Sequence, residues 1–217
     1  GSEEDETKEL GEQMRKTKWI VFEGIDGSGK TTQAKMLNAF LKEQGIKSVY
    51  KHIFDSKAGR ILRDIFICNE FSNSVEILLL GATRQAFFDE MRCVKNEYDV
   101  VVLDRLFLSI LAMQGECNKD VELINLIKNY ILSEDFECYT FYLDTKPDIC
   151  KIRLGNKEKC DRIEEKSVEF HNIVYERYMK LLQKDEFVYV FDGGTDAISL
   201  HKSIVETVYK LMLVNKI

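Results

Sequence analysis

A chain of 217 residues with 45% hydrophobic and 31% charged side chains has the make-up of one globular domain, too apolar for wholesale disorder. Its 31 basic and 37 acidic side chains leave a formal charge of −6, which speaks against a dedicated nucleic-acid binder. No apolar run approaches the ~18–20 residues of a membrane span, and six scattered cysteines without a Cys-x-x-Cys pair (68, 93, 117, 138, 150 and 160) read as reduced thiols rather than a disulfide framework. With only three histidines, no zinc site is suggested.

Residues 1–16 are polar and mostly acidic without apolar periodicity, and read as a flexible arm. Gly1-Ser2 has the look of an expression scar, Met14 is a candidate start, and the arm lacks the Arg-rich character of a transit peptide. From residue 17 to 217 a single domain is expected, with no repeat and no linker. Short β-rich runs at Trp19–Phe22, Val49–Phe54, Val100–Leu103, Tyr139–Leu143 and Phe187–Phe191 alternate with helical stretches. The helices fall at Thr31–Glu43, Ala58–Cys68, Val75–Lys95, Val121–Leu132, Lys166–Gln183 and Ala197–Val214. Hydrophobicity that runs on without alternating is the mark of strands buried on both faces. The expected fold is therefore α/β: a five-stranded parallel sheet with helices on both sides and ligands at the carboxyl ends of its strands.

The segment Gly24-Ile25-Asp26-Gly27-Ser28-Gly29-Lys30-Thr31 fits G-x-x-x-x-G-K-[ST], follows a strand and opens a helix. Gly24, Gly27 and Gly29 let the backbone wrap phosphate oxygens, with Ser28, Thr32 and a helix N-terminus facing the anion. Lys30 is placed to reach the outer phosphates and Thr31 to join a Mg²⁺ shell. The chain is thus expected to bind a nucleoside triphosphate, ATP, with Mg²⁺. A second acid, Asp104, ends the run Val100–Leu103 and suits Mg²⁺ or its waters; the plainer reading is a cap on a helix starting near Leu106. Arg105 beside it presents a planar fork to phosphate.

Four blocks go beyond a generic phosphate loop. Phe22–Gln33 resembles the FEGxDGxGKTTQ opening of the thymidylate kinases, and Leu78–Gln85 resembles their LLFxAxRxQ helix. Asp104-Arg105 with Ser109 and Ala112-Met113-Gln114-Gly115 is similar to their DRYxxSxxAYQG segment, and Asp161-Arg162-Ile163-Glu164 to the DRxE of their lid. The blocks keep the family's order from about residue 18 onward. The resemblance implies a kinase that moves the γ-phosphoryl of MgATP to a nucleoside monophosphate, dTMP or another pyrimidine nucleotide first. It also implies a homodimer in the cytoplasm, with no nucleic-acid or membrane partner. By position, Arg84 meets the acceptor base, Arg105 its phosphate and Asp26 its sugar and phosphate, with Leu80 and Gln114 in the same pocket. A lid around residues 153–165 carries the cations Arg153, Lys157, Lys159 and Arg162, of which Arg153 and Arg162 are the catalytic candidates.

The departures fall on the acceptor side. Where the family reads Arg-Glu-Pro-Gly after its second strand, this chain reads Tyr50-Lys51-His52-Ile53-Phe54-Asp55-Ser56. Lys51 can supply a cation there without bidentate geometry, and Asp55 brings negative charge that suits a hydroxyl acceptor better. Leu80 stands where a stacking Phe is usual, and Leu106 and Met113 replace two tyrosines. Two other readings therefore stay open: a nucleoside or other hydroxyl-acceptor kinase, and a nucleotide-binding regulatory protein descended from one. Plainer roles also stand beside the site roles: Arg84 as a surface ion-pair former, Lys157 and Lys159 as solvated charges, His52 and His171 as surface or packing residues, and Asp192–Asp196 as a helix-capping loop.

Overall fold

A computed structural model describes residues 17–94, 97–133, 136, 138–155, 167–184 and 187–214. The expected arm at 1–16 and most of the expected lid, including Arg162, lie outside the described residues. In chain order the elements are β1 (Lys18–Glu23), α1 (Lys30–Glu43), β2 (Ser48–His52), α2 (Lys57–Cys68), α3 (Asn73–Val94), β3 (Val100–Asp104), α4 (Phe107–Gln114), α5 (Asn118–Ile131), β4 (Cys138–Asp144), α6 (Pro147–Leu154), α7 (Val168–Leu182), β5 (Val188–Asp192) and α8 (Ala197–Val214). All strands pair in parallel in the order β2-β3-β1-β4-β5, the expected α/β sheet. Among the described residues, no helix is long and apolar enough to cross a membrane.

Both faces of the sheet are apolar because side chains alternate while the strands are hydrophobic throughout. Trp19, Val21, Val101 and Leu103 face α3, α4 and α5, packing with Phe87, Phe107, Ile110 and Ile124. Ile20, Phe22, Val100, Val102 and Phe141 face α1 and α8, packing with Leu37, Leu41, Ile204 and Val208. A smaller cluster of Ile25, Ala112, Tyr142, Cys150, Val174 and Tyr178 fills the space beneath α4, α6 and α7. The register sets Phe22 beside Asp104 and Glu23 beside Tyr142, so the strand-ending acids gather at the carboxyl edge. No disulfide joins the described cysteines 68, 93, 117, 138 and 150 to one another.

Element ends follow local chemistry. Ser56 accepts from the Gly59 amide at 2.8 Å and caps α2, and Asp196 accepts from the Ile198 and Ser199 amides at 3.1 and 3.0 Å to start α8. β2 stops at His52, two residues short of expectation, because the Asp55 carboxylate accepts from the His52 amide at 2.8 Å and turns the chain. α6 was not among the expected helices. It is eight residues long, opens on Pro147 and buries only Cys150 fully, too little for an amphipathic pattern to register.

Candidate active site

The phosphate loop leaves β1 and enters α1 as a cradle that only glycine permits at two key points. Gly27 has φ +84°, and a Cβ there would stand 2.8 Å from the Cys150 carbonyl oxygen. Gly24 has φ +150°, and its Cβ would meet Ser28 Oγ at 2.7 Å. Lys30 is buried in the cradle with Nζ donating to the Ile25 carbonyl at 3.0 Å. Burial, reinforced by the nearby Arg105 charge, draws its ammonium pKa down to about 8 against the pull of Asp26, Asp104 and Glu23. Thr31 Oγ1 donates to Asp104 Oδ2 at 2.6 Å, and Tyr50 Oη donates to the same oxygen at 3.2 Å. Asp104 is buried, yet its Oδ1 has no hydrogen-bond partner among the described residues. Arg153 from α6 braces the loop, donating to the carbonyls of Gly27 at 3.3 Å, Ser28 at 3.5 Å and Gly193 at 2.8 Å. Thr32, Thr31, Lys30, Asp104 and Arg153 line one polar cavity over the cradle.

A second, more apolar cavity opens beside it, lined by Phe54, Phe66, Ile67, Leu80, Ile110 and Met113 with Arg84, Ser109 and Gln114. Arg84 is 2% exposed and donates to the carbonyls of Leu106 at 2.8 Å and Leu80 at 3.3 Å. Its Nε has no partner, and it forms no ion pair among the described residues, so it is not a surface salt-bridge former. Burial draws its pKa down to about 9, with the Glu23 charge only partly opposing it. Gln114 donates to Glu76 Oε2 at 3.2 Å and leaves its own carbonyl oxygen unpartnered. A buried cation and an idle amide oxygen at the end of an apolar slot suit a flat polar ring.

The two cavities share Asp26, His52, Arg63 and Arg105. Arg105 adopts φ +69°, a left-handed conformation that costs a non-glycine residue about 1–3 kcal/mol and clusters at working sites. Its side chain pairs with Asp26 through Nη2 and donates through Nη1 to Ser109 Oγ at 3.0 Å and the Gly24 carbonyl at 3.3 Å. Burial disfavours its charge, but Asp26 and other neighbouring acids outweigh it and hold the guanidinium above its ordinary pKa. Burial likewise opposes the Asp26 charge, and Arg105 and Lys30 together hold its carboxyl below the usual value. Beneath this pair lies Glu23, fully buried, which accepts from the Leu106 amide at 2.7 Å, from Tyr178 Oη at 3.0 Å and from Ser109 Oγ.

Residues 22–204 match the Thymidylate kinase family model. The chain belongs to the thymidylate kinase family. It is 35% identical over 206 residues to the thymidylate kinase of Thermoanaerobacter sp. (strain X514), covering 91% of this chain and all of the relative. It is 31% identical over 194 residues to that of Legionella pneumophila (strain Corby), covering 86% and 92% of the two chains. With that of Buchnera aphidicola subsp. Baizongia pistaciae it shares 37% over 178 residues, covering 78% and 84%.

Among the residues read from the family pattern, Asp26, Lys30, Thr31, Asp104, Arg105 and Arg153 come together around the cradle, and Leu80, Arg84 and Gln114 around the slot. Lys51 and Asp55 line neither cavity. Lys51 is the next-to-last residue of β2, beside Leu103, and the Asp55 carboxylate is engaged by the His52 amide. In their place stand residues that the sequence did not mark: His52, Phe54, Arg63 and Phe66, with Tyr50 and Tyr178 behind them. His52 and Phe54 stack at 5.2 Å between ring centres, the packing role open to His52, and both rings line the slot. For Tyr50, His52 and Phe54 the available signal was the segment's departure from the family pattern, which did not rank its side chains; Arg63, Phe66 and Tyr178 lie outside that segment and carried no such signal.

Proposed function

We propose that the chain is an ATP-dependent kinase that phosphorylates dTMP. The supporting observation is the pair of adjoining cavities: a phosphate cradle and an apolar slot that meet at Asp26, His52, Arg63 and Arg105. Phosphoryl transfer asks for in-line placement and counter-charge more than for an acid or base. Lys30 and Arg153 supply cations on the cradle side and Arg105 at the meeting point. Arg84 and Gln114 orient the base in the slot.

The Thr31 hydroxyl and the unpartnered Asp104 Oδ1 are hard oxygen donors of the kind Mg²⁺ takes, so these two residues are assigned to hold it or its waters. When bound there, Mg²⁺ would supply counter-charge for the transferring phosphoryl group. Cytoplasmic residence is the expectation from nucleotide substrates. We also read the enzyme as a homodimer: Ile61 and Ile65 on α2 and Val75 and Leu78 on α3 stand exposed on two helices that pack together.

A coupled assay of ADP release across the common nucleoside monophosphates tests the activity. The reading expects stimulation by dTMP above all others, and no stimulation by any monophosphate refutes it. Light scattering that returns a single chain in solution refutes the dimer.

A further inference from the structure

We propose that Tyr50 is a positioning residue for the magnesium site: its hydroxyl fixes the Asp104 carboxylate so that one oxygen is committed and the other is left for the ion. The inference rests on the metal assignment made in the kinase reading above and deepens it. Tyr50 opens the segment in which this chain departs from the family's sequence, so no role carried over by position reaches it.

The arrangement starts in the sheet. β2 and β3 run parallel, with Tyr50 opposite Val102 and His52 opposite Asp104. Residues two apart share a face of a strand, so Tyr50, Val102 and Asp104 lie on the side covered by α1. There Tyr50 packs against the cluster that holds Leu37 and Leu41. Asp104 is the diagonal neighbour of Tyr50, a spacing that a long aromatic side chain spans and a serine or threonine does not. Lys35 on α1 sets its Nζ 5.6 Å from the centre of the Tyr50 ring, a contact that steadies the phenol.

A carboxylate only accepts, so both hydroxyls that reach Asp104 are donors. Thr31 donates to Oδ2 at 2.6 Å from α1, and Tyr50 donates to the same oxygen at 3.2 Å from β2. Held from two elements, the carboxylate cannot swing without giving up one of these bonds. Oδ1 is buried and has no hydrogen-bond partner among the described residues. Thr31 has given its one hydroxyl proton to Asp104, which leaves its oxygen only lone pairs to offer. Such a proton-free pair of oxygens suits Mg²⁺, whose strict geometry makes the angle of the carboxylate matter. A phenol that merely satisfied a buried acid would serve the oxygen that lacks a partner. This one joins Thr31 on the oxygen already served.

The test compares the full chain with Tyr50→Phe, which keeps the ring beside Lys35 and removes the hydroxyl. Calorimetry measures ADP affinity with Mg²⁺ and again in EDTA, and the ratio of the two reports what the metal adds. The parent is expected to bind ADP more tightly with Mg²⁺, and Tyr50→Phe to lose about tenfold of that ratio with its affinity in EDTA unchanged. In an Asp104→Asn background the same substitution is expected to move the ratio by less than about twofold, because the charge it orients is gone. A purely structural hydroxyl would lower the melting temperature and leave the ratio alone. An unchanged ratio, equal losses with Mg²⁺ and in EDTA, or the full loss persisting beside Asp104→Asn overturns the role. If the parent binds ADP equally well with and without Mg²⁺, the metal assignment falls and takes this one with it. A parent that binds MgADP but phosphorylates no monophosphate overturns the kinase reading, and the ratio still decides the role of Tyr50.

Discussion

Tyr178 Oη donates to Glu23 Oε2 at 3.0 Å, joining α7 to the last residue of β1 across a separation of 155 positions. The same hydroxyl lies 3.1 Å from Ser109 Oγ, which in turn holds Arg105 at 3.0 Å. Burial, with the Glu23 charge beside it, keeps the phenol pKa far above its ordinary value, so it stays a donor at every working pH. Tyr178→Phe leaves a buried carboxylate short of one donor, and the expected loss of stability is about 1–3 kcal/mol. Because Arg105 loses part of its brace, kcat/KM for dTMP should fall further than ATP affinity. Urea unfolding and steady-state kinetics check both; a variant as stable as its parent contradicts the role given to this hydroxyl.

Lys30 has a pH signature. With its pKa near 8 before nucleotide binds, the ammonium is present below that pH and progressively absent above it. A triphosphate favours the charged form, so MgATP affinity should be level below pH ~8 and decline by up to about tenfold per unit beyond it. Nucleotide-binding titrations at a series of alkaline pH values measure this, and an affinity flat through that range sinks it. Lys30→Ala should abolish turnover while the circular dichroism spectrum is preserved; an active variant argues against the cradle as the donor site.

Asp104 and Thr31 carry the metal prediction. Asp104→Asn keeps the shape but removes the charge, and Thr31→Val removes the hydroxyl that donates to it at 2.6 Å. Either change should raise the Mg²⁺ concentration for half-maximal activity by about ten- to a hundredfold. Metal titrations of rate decide it, and an unchanged Mg²⁺ requirement in Asp104→Asn removes the carboxylate from the site.

The fold was open to reading because its central strands say one thing only. Val100–Leu103 is apolar at every position, and a strand buried on both faces leaves no other arrangement. The cradle was equally plain, since Gly24, Gly27 and Lys30 answer to backbone geometry and charge that few other residues supply. The acceptor slot was harder. Lys51 and His52 are neighbours of opposite facing on one strand, and which of them looks into the cleft depends on where β2 ends. That ending is set by the Asp55 carboxylate on the His52 amide, a single hydrogen bond without a sequence signature of its own. Arg63 lies on a helix with Arg60 one turn earlier, and nothing in the spacing ranks one guanidinium over the other.

His52 should also mark the acid limb of stability. Burial draws its pKa down to about 4, with Asp104 only partly opposing it, whereas the unfolded imidazole titrates near 6.5. Between those values the unfolded chain binds the extra proton, so stability falls as pH falls from about 6.5 towards 4. His201, also lowered by burial, acts in the same direction, while Asp26 contributes its loss only below its ordinary value of 3.8. His52→Gln should flatten the slope in the upper window and leave the lower one. Chemical denaturation across pH reads it directly, and an identical slope in the variant excludes His52 as its source.

Among the described residues β2 has β3 as its one strand neighbour and forms the outer margin of the sheet. Its end, the turn after it and α2 carry His52, Phe54 and Arg63, whereas Lys30 and Thr31 open the helix that follows β1 and Asp104 ends β3, the two strands inside. One wall of the slot is thus carried by an edge strand and the segment after it, which can change sequence without disturbing the packing of the strands that position the cradle. The sequence after β2 can therefore depart from the usual arginine motif while the cradle between the inner strands and α1 stays intact.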